Sequence, residues 1–145
     1  MSIIQTKNGE ANFNFSNAVA FEVFSLESEQ STTSTTFQVK LSGTSIDDQT
    51  GKYVVHWFSE IANTNNNATT LFRVQWKNTS ETVWKDLTSA DAYVGRSNVF
   101  IPMSGFRVID KLVEETMEFR IEFARGTGGT AKIKNTNLYL FRVAI

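Results

Sequence analysis

The sequence contains no cysteine and only one proline among its 145 residues. Without cysteine there is no disulfide bond and no thiolate zinc site, so packing and backbone hydrogen bonds must hold the fold. A single proline leaves long β-ladders uninterrupted, because proline cannot donate a ladder hydrogen bond. No apolar run reaches the length of a membrane span, and we therefore expect no membrane partner.

The charge is nearly balanced. Fourteen Lys and Arg residues face 15 Asp and Glu residues, for a formal net charge of −1. Nucleic-acid binding usually needs a basic surface, so this balance argues against a nucleic-acid partner. Residues 1–6 lack the basic-then-apolar order of a secretion signal, and we expect no export by that route.

Catalytic groups are also scarce, since His56 is the only histidine. It lies between apolar residues in a strand-like run, and no G-x-S-x-G nucleophile motif accompanies it. This setting favours a partly buried, structural imidazole over a catalytic one. We therefore expect no catalytic residues, no cofactor and no enzymatic activity.

The acidic residues show no metal-site spacing either. Asp47, Asp48 and Asp91 do not follow the D-x-D-x-D-G order of a calcium loop, so no metal is expected. Glu118 and Glu122 share a strand face, but a deep cleft for glycoside hydrolysis is not expected in a small sandwich. With Arg120 between them, they indicate a solvated and self-compensated charge stripe.

The chain is instead rich in strand-forming residues, with 12 Phe, 3 Trp and 3 Tyr. Apolar and polar residues alternate in eight to nine short segments, which predicts an all-β, two-sheet antiparallel β-sandwich of one domain over residues 1–145. Residues 88–91 are predicted as one helical turn, and Ser104 with Gly105 as a strand break. The glycine-rich residues 126–129 predict a β-hairpin between residues 119–123 and the C-terminal strand, against which the other strands would lie.

Two regions suggest surfaces. Residues 1–17 are predicted as an N-terminal arm with the apolar anchors Ile3, Ile4, Phe13 and Phe15, which close over their own core or reach another subunit. Residues 51–58 are almost continuously apolar, which predicts a strand covered on both faces, by the second sheet or by a partner.

The ending of the chain resembles small jelly-roll proteins of tailed-phage virions. The likeness lies in residues 119–123 (FRIEF), 126–131 (GTGGTA) and 133–143 (IKNTNLYLFRV). Residues 51–55 (GKYVV) resemble the G-x-Y strand of the trimeric tumour-necrosis-factor and C1q-like jelly rolls. Together these segments cover 27 of the 145 residues, about a fifth of the chain.

The resemblance implies a non-enzymatic virion protein of the capsid-decoration or head-fibre type, assembled in the host cytoplasm. Its partners would be copies of itself in a homotrimer, together with the major capsid protein or other virion proteins. Tyr53, Val55 and Trp57 are then the candidates for the trimer interface. The four arm anchors are the candidates for contact with the capsid.

An alternative function is a carbohydrate- or receptor-binding module of a phage tail or fibre. Flat aromatic rings stack on sugar faces, and Trp57 and Trp76 lie in patterns typical of a core. Trp84 is flanked by Val83 and Lys85 near a turn, which predicts an exposed ring, so Trp84 with Tyr93 and the Asn-rich residues 63–67 would form this glycan platform.

Overall fold

The computed structural model describes residues 18–143, except for the side chains of residues 18, 19 and 89–94. Within this range the chain forms nine β-strands and no helix. Their bounds are β1 (Ala18–Leu26), β2 (Gln30–Thr32), β3 (Gln38–Thr44), β4 (Gly51–Asn63), β5 (Thr69–Asn78), β6 (Lys85–Val94), β7 (Ile101–Lys111), β8 (Met117–Arg125) and β9 (Ala131–Val143).

The strands form two antiparallel sheets packed face to face. In sheet A the order is β1-β9-β4-β7, with the short β2 added beside β9, and in sheet B it is β3-β8-β5-β6. Eight principal strands divided in this way between two sheets form a jelly roll. The prediction of an all-β, two-sheet sandwich is confirmed.

The core lies between the sheets, where alternate side chains of every long strand point inward. In β8, for example, Phe119, Ile121 and Phe123 are buried, while the residues between them lie on the outer face of sheet B. Gly105 of β7 faces the ring of Trp57, and a Cβ atom at this position would lie 2.6 Å from a ring carbon. The glycine predicted to break β7 therefore stays within the strand and makes room for the indole.

The predicted closing hairpin is wrong. β8 pairs with β3 and β5 in sheet B, whereas β9 pairs with β1 and β4 in sheet A. The glycine-rich connection does turn the chain through positive φ at Gly128 and Gly129, but it crosses from one sheet to the other. Each strand needs one buried face, and either sheet of the sandwich provides it. The alternation therefore does not determine which sheet the strand after the turn will join.

A β-bulge in β9 sets which residues of this strand face outward. Glu60 pairs with Lys134 and Phe58 with Asn137, so two residues of β9 oppose the single residue Ser59 of β4. Asn135 has a φ of 49° at this point, and the buried hydroxyls of Ser59 and Thr136 lie 2.7 Å apart. Before the bulge the odd-numbered residues of β9 face the core, and beyond it the even-numbered residues do.

One smaller prediction also changes. Residues 88–91, predicted as a helical turn, continue β6, which pairs with β5 through Val94. Pairing with β5 supplies hydrogen bonds that a single helical turn lacks. The only proline, Pro102, lies in β7 at the edge of sheet A, as its missing N–H predicts.

Candidate interaction surface

The outer face of sheet A carries two rows of mostly apolar side chains. One row crosses the four strands through Phe21, Phe141, Val54 and Val108, and the next through Val23, Tyr139, His56 and Phe106. We call these eight residues the aromatic face. They lie side by side because the antiparallel register places β1, β9, β4 and β7 residues opposite one another.

Several of these side chains are well exposed. Phe106 is 68% exposed, Val108 53%, Val23 47% and Phe21 39%. Together they present roughly 400 Å² of apolar surface, in the range where a patch on a folded chain is often functional. A soluble sheet with one buried face usually carries polar residues on the other, so this face departs from that pattern.

Ring contacts give the aromatic face a defined shape. The rings of Phe21 and Phe141 are tilted, with centroids 5.0 Å apart. His56 stacks on Tyr139 at 5.7 Å and 24°, and it is exposed, not partly buried as predicted. A shallow depression of about 210 Å³ lies between Val54, His56, Phe106 and Phe141. Phe106 projects beside this depression, so a knob and a hollow are neighbours on the same surface.

The outer face of sheet B is charged and internally paired. Glu122 receives Nε of Arg73 at 2.7 Å and Nε of Arg120 at 3.2 Å, and its side chain is only 5% exposed. The charges are compensated as predicted, but the prediction that the stripe is solvated is wrong for Glu122, because its arginine partners cover it. A second pair joins Lys77 Nζ to Glu118 Oε2 at 2.6 Å.

The predicted trimer-interface residues lie inside the sandwich. Tyr53 and Val55 are fully buried and Trp57 is 5% exposed, so none of them can form a surface with another chain. Their neighbours Val54 and His56 face outward instead. Because residues 53–58 are apolar on both faces, the period-2 pattern could not decide which set pointed inward.

The buried Tyr53 belongs to a polar network at one end of the sandwich. The Tyr53 hydroxyl donates to Gln49 O at 2.8 Å, and burial together with the Asp47 carboxylate raises the pKa of the phenol. Burial opposes ionisation of Asp47, but hydrogen bonds from Arg142 and the Gln49 amide lower the pKa of this carboxyl overall. Arg142 Nε lies 2.6 Å from Asp47 Oδ2. This network ties the β3–β4 loop to β9.

The other predicted site residues are placed only in part. Ile3, Ile4, Phe13 and Phe15 lie outside the described residues, as does the side chain of Tyr93. Trp84 is half-buried in the β5–β6 connection, with the Arg120 guanidinium carbon 4.1 Å and Lys77 Nζ 5.3 Å from its ring centroid.

Within the described residues, no group of three His, Asp or Glu side chains could hold a metal ion. The same residues contain no helix of the length and apolar character that crossing a bilayer demands. The clearest surface feature of residues 18–143 is therefore the aromatic face. Its one signal in the sequence is the alternation of Phe106 and Val108 with Arg107, which by itself does not show that the apolar side faces solvent.

No protein-family model matches this sequence, and no curated protein matches it. Among solved structures, a chain of the infectious bursal disease virus T13 particle superposes with a TM-score of 0.60 at 7% identity, over 97% of this chain. A chain of T=1 particles derived from the same virus gives 0.60 at 8% identity, again over 97%. The present chain spans about a third of each of them, 35% and 36%.

Eiger, a TNF from S. frugiperda, superposes with a TM-score of 0.50 at 12% identity, over 86% of this chain and 93% of its own. At these identities the likeness establishes the fold. The chain therefore shares the jelly-roll sandwich of a viral capsid protein and of a TNF.

Proposed function

We propose that this chain is a non-enzymatic structural protein of a tailed-phage virion, of the capsid-decoration type, which binds the capsid surface and stabilises the particle. The aromatic face is the observation that carries the proposal. An exposed apolar sheet face opposite a charge-paired one is the geometry of a protein that works by contact with other proteins. The jelly-roll fold that it shares with a capsid chain supports the same function.

The aromatic face is proposed as the surface through which the copies in a homotrimer contact one another. Lys52 and Asp110 at its margin are paired with each other at 2.8 Å, so the face offers no excess charge to an acidic or basic partner. A cyclic assembly would remove Phe106 and Val108 of each copy from water. The knob and hollow beside Phe106 provide the shape for such a contact.

Replacing Phe106 with lysine should disrupt this assembly. The introduced ammonium would be buried among the rings of a neighbouring copy, and we expect the association constant to fall at least about 100-fold. Light scattering coupled to size exclusion measures the change. Val39→Lys is the matched control, because Val39 is also an exposed apolar strand residue but lies on sheet B, and it should leave the mass unchanged.

A wild-type chain that stays monomeric at high concentration and on the particle would contradict the trimer. Equal effects of the two lysine variants would contradict the assignment of the face.

Attachment to the capsid tests the function itself. Electron micrographs of particles assembled with and without this chain should differ by density on the outer capsid surface. Deleting residues 1–12, which carry Ile3 and Ile4, should leave a folded protein that no longer binds particles lacking it. Unchanged binding would eliminate the arm as the contact, and absence of the density from complete particles would eliminate the decoration function.

A further inference from the structure

The outer face of sheet B contains a second, separate depression. It encloses about 220 Å³ and is lined by residues of β3 and β8 together with Trp84 from the β5–β6 connection. Pockets for drug-sized ligands enclose about 300–1,000 Å³, so this one has room for a single small ring. It lies on the opposite side of the sandwich from the aromatic face and stays open when copies associate there.

Trp84 supplies a flat aromatic wall to this depression. Arg120 and Lys77 both project from the outer face of sheet B, so they support the indole from the sheet side. Nε of Arg120 is in turn fixed by Gln75 Oε1 at 2.8 Å and by the Glu122 carboxylate. Because its supports are themselves hydrogen-bonded, the ring is held in place before any ligand arrives.

Polar groups surround the ring. Ser42 and Thr44 are exposed on β3, and neither hydroxyl is hydrogen-bonded to another of the described residues. Glu118 adds a carboxylate whose Oε2 contacts Lys77, and the Trp84 indole N–H likewise has no acceptor among the described residues. Hydroxyls, a carboxylate and an N–H around one aromatic surface are complementary to a molecule with an apolar ring face and several hydroxyl groups.

We propose that this depression binds one uncharged pyranose unit of a glycan. The apolar C–H face of the sugar would lie against Trp84, and its hydroxyls would bond to Ser42, Thr44 and Glu118. An uncharged ligand fits because the charged groups here already have protein partners: Nε of Arg120 contacts Gln75 and Glu122, and Glu118 contacts Lys77. The site is independent of the proposed structural function, since it uses none of the aromatic face.

An NMR titration of the ¹⁵N-labelled protein tests the site. The probes are the methyl glycosides of galactose, glucose, mannose and N-acetylglucosamine, each raised to about 50 mM, well above the millimolar Kd expected of a single sugar. At least one should shift the Trp84 indole signal together with the amides of Ser42 and Thr44. Trp84→Ala should weaken its binding at least about tenfold, since the stacking surface is lost.

Two further variants guard against indirect effects. Thr44→Val keeps the indole and its supports while removing one hydroxyl, and it should weaken binding about three- to tenfold. Val83→Ala, a change at an exposed neighbour of Trp84 outside the depression, should leave binding unchanged. Absence of shifts with all four glycosides, shifts confined to other regions, or binding that survives Trp84→Ala would overturn the proposal.

Discussion

Replacing Phe119 with alanine is expected to lower the free energy of unfolding by about 3–5 kcal/mol, because it opens a cavity between the two sheets. Phe119 is 1% exposed, and its ring centroid lies 6.3 Å from that of Phe24 on the opposite sheet. Gly43 beside them leaves the space that the Phe24 ring occupies, since a Cβ there would lie 2.3 Å from that ring.

Urea unfolding followed by tryptophan fluorescence measures this loss, and a fall in Tm of about 10 °C should accompany it. Phe106→Ala is the matched control, since it removes the same ring from an exposed position and should cost less than about 1 kcal/mol in the monomer. Both variants must be compared at low protein concentration, because association would add a concentration-dependent stability. Equal losses at the two positions would contradict the assignment of inner and outer faces.

Replacing Glu122 with leucine should destabilise the fold by about 3 kcal/mol, because two partly buried arginines lose their shared carboxylate. Arg73 and Arg120 both point their Nε at Glu122 Oε1, and their side chains are only 26% and 22% exposed. In the variant each guanidinium would keep its charge, since arginine stays protonated near neutral pH. The loss would be visible as a lower urea midpoint at unchanged slope.

The exposed pair Lys52–Asp110 provides the comparison. Its N–O distance is 2.8 Å, similar to that of Arg73 and Glu122, but its side chains are 53% and 64% exposed. Solvent screens such a pair, so Asp110→Leu should cost less than about 0.5 kcal/mol. A loss at Glu122 as small as that at Asp110 would show that burial adds nothing to the network.

The alternation of single strands was readable from the sequence, whereas their pairing was not. Phe119, Ile121 and Phe123 alternate with Arg120 and Glu122 in the sequence, and all three are buried in the core. The predicted pairing of that strand with β9 was wrong. A glycine-rich turn permits a reversal of the chain without specifying whether the next strand stays in the same sheet. Hydrogen bonding to β3 and β5 is a long-range property that no local pattern encodes.

The aromatic face could not be predicted from the sequence for a related reason. In β9 a strict alternation would place the odd-numbered apolar residues on one face, but the bulge at Asn135 places Ile133 inside and Tyr139 outside. In β4 both faces are apolar, so Tyr53 and Val54 were equally good candidates for the interior. A shift of one residue exchanges the two faces of a strand, and only contact with the opposite sheet fixes the choice.

The sequence by itself determined that the chain folds as an all-β sandwich. Strands with an apolar residue at every second position are stable only where one face of each strand is buried. It also determined the lack of any thiol chemistry and left one imidazole. The tertiary structure decided which apolar residues remained in water. Burial is a collective outcome of sheet order and register, and these together placed Phe106, Val108 and His56 on a common outer face.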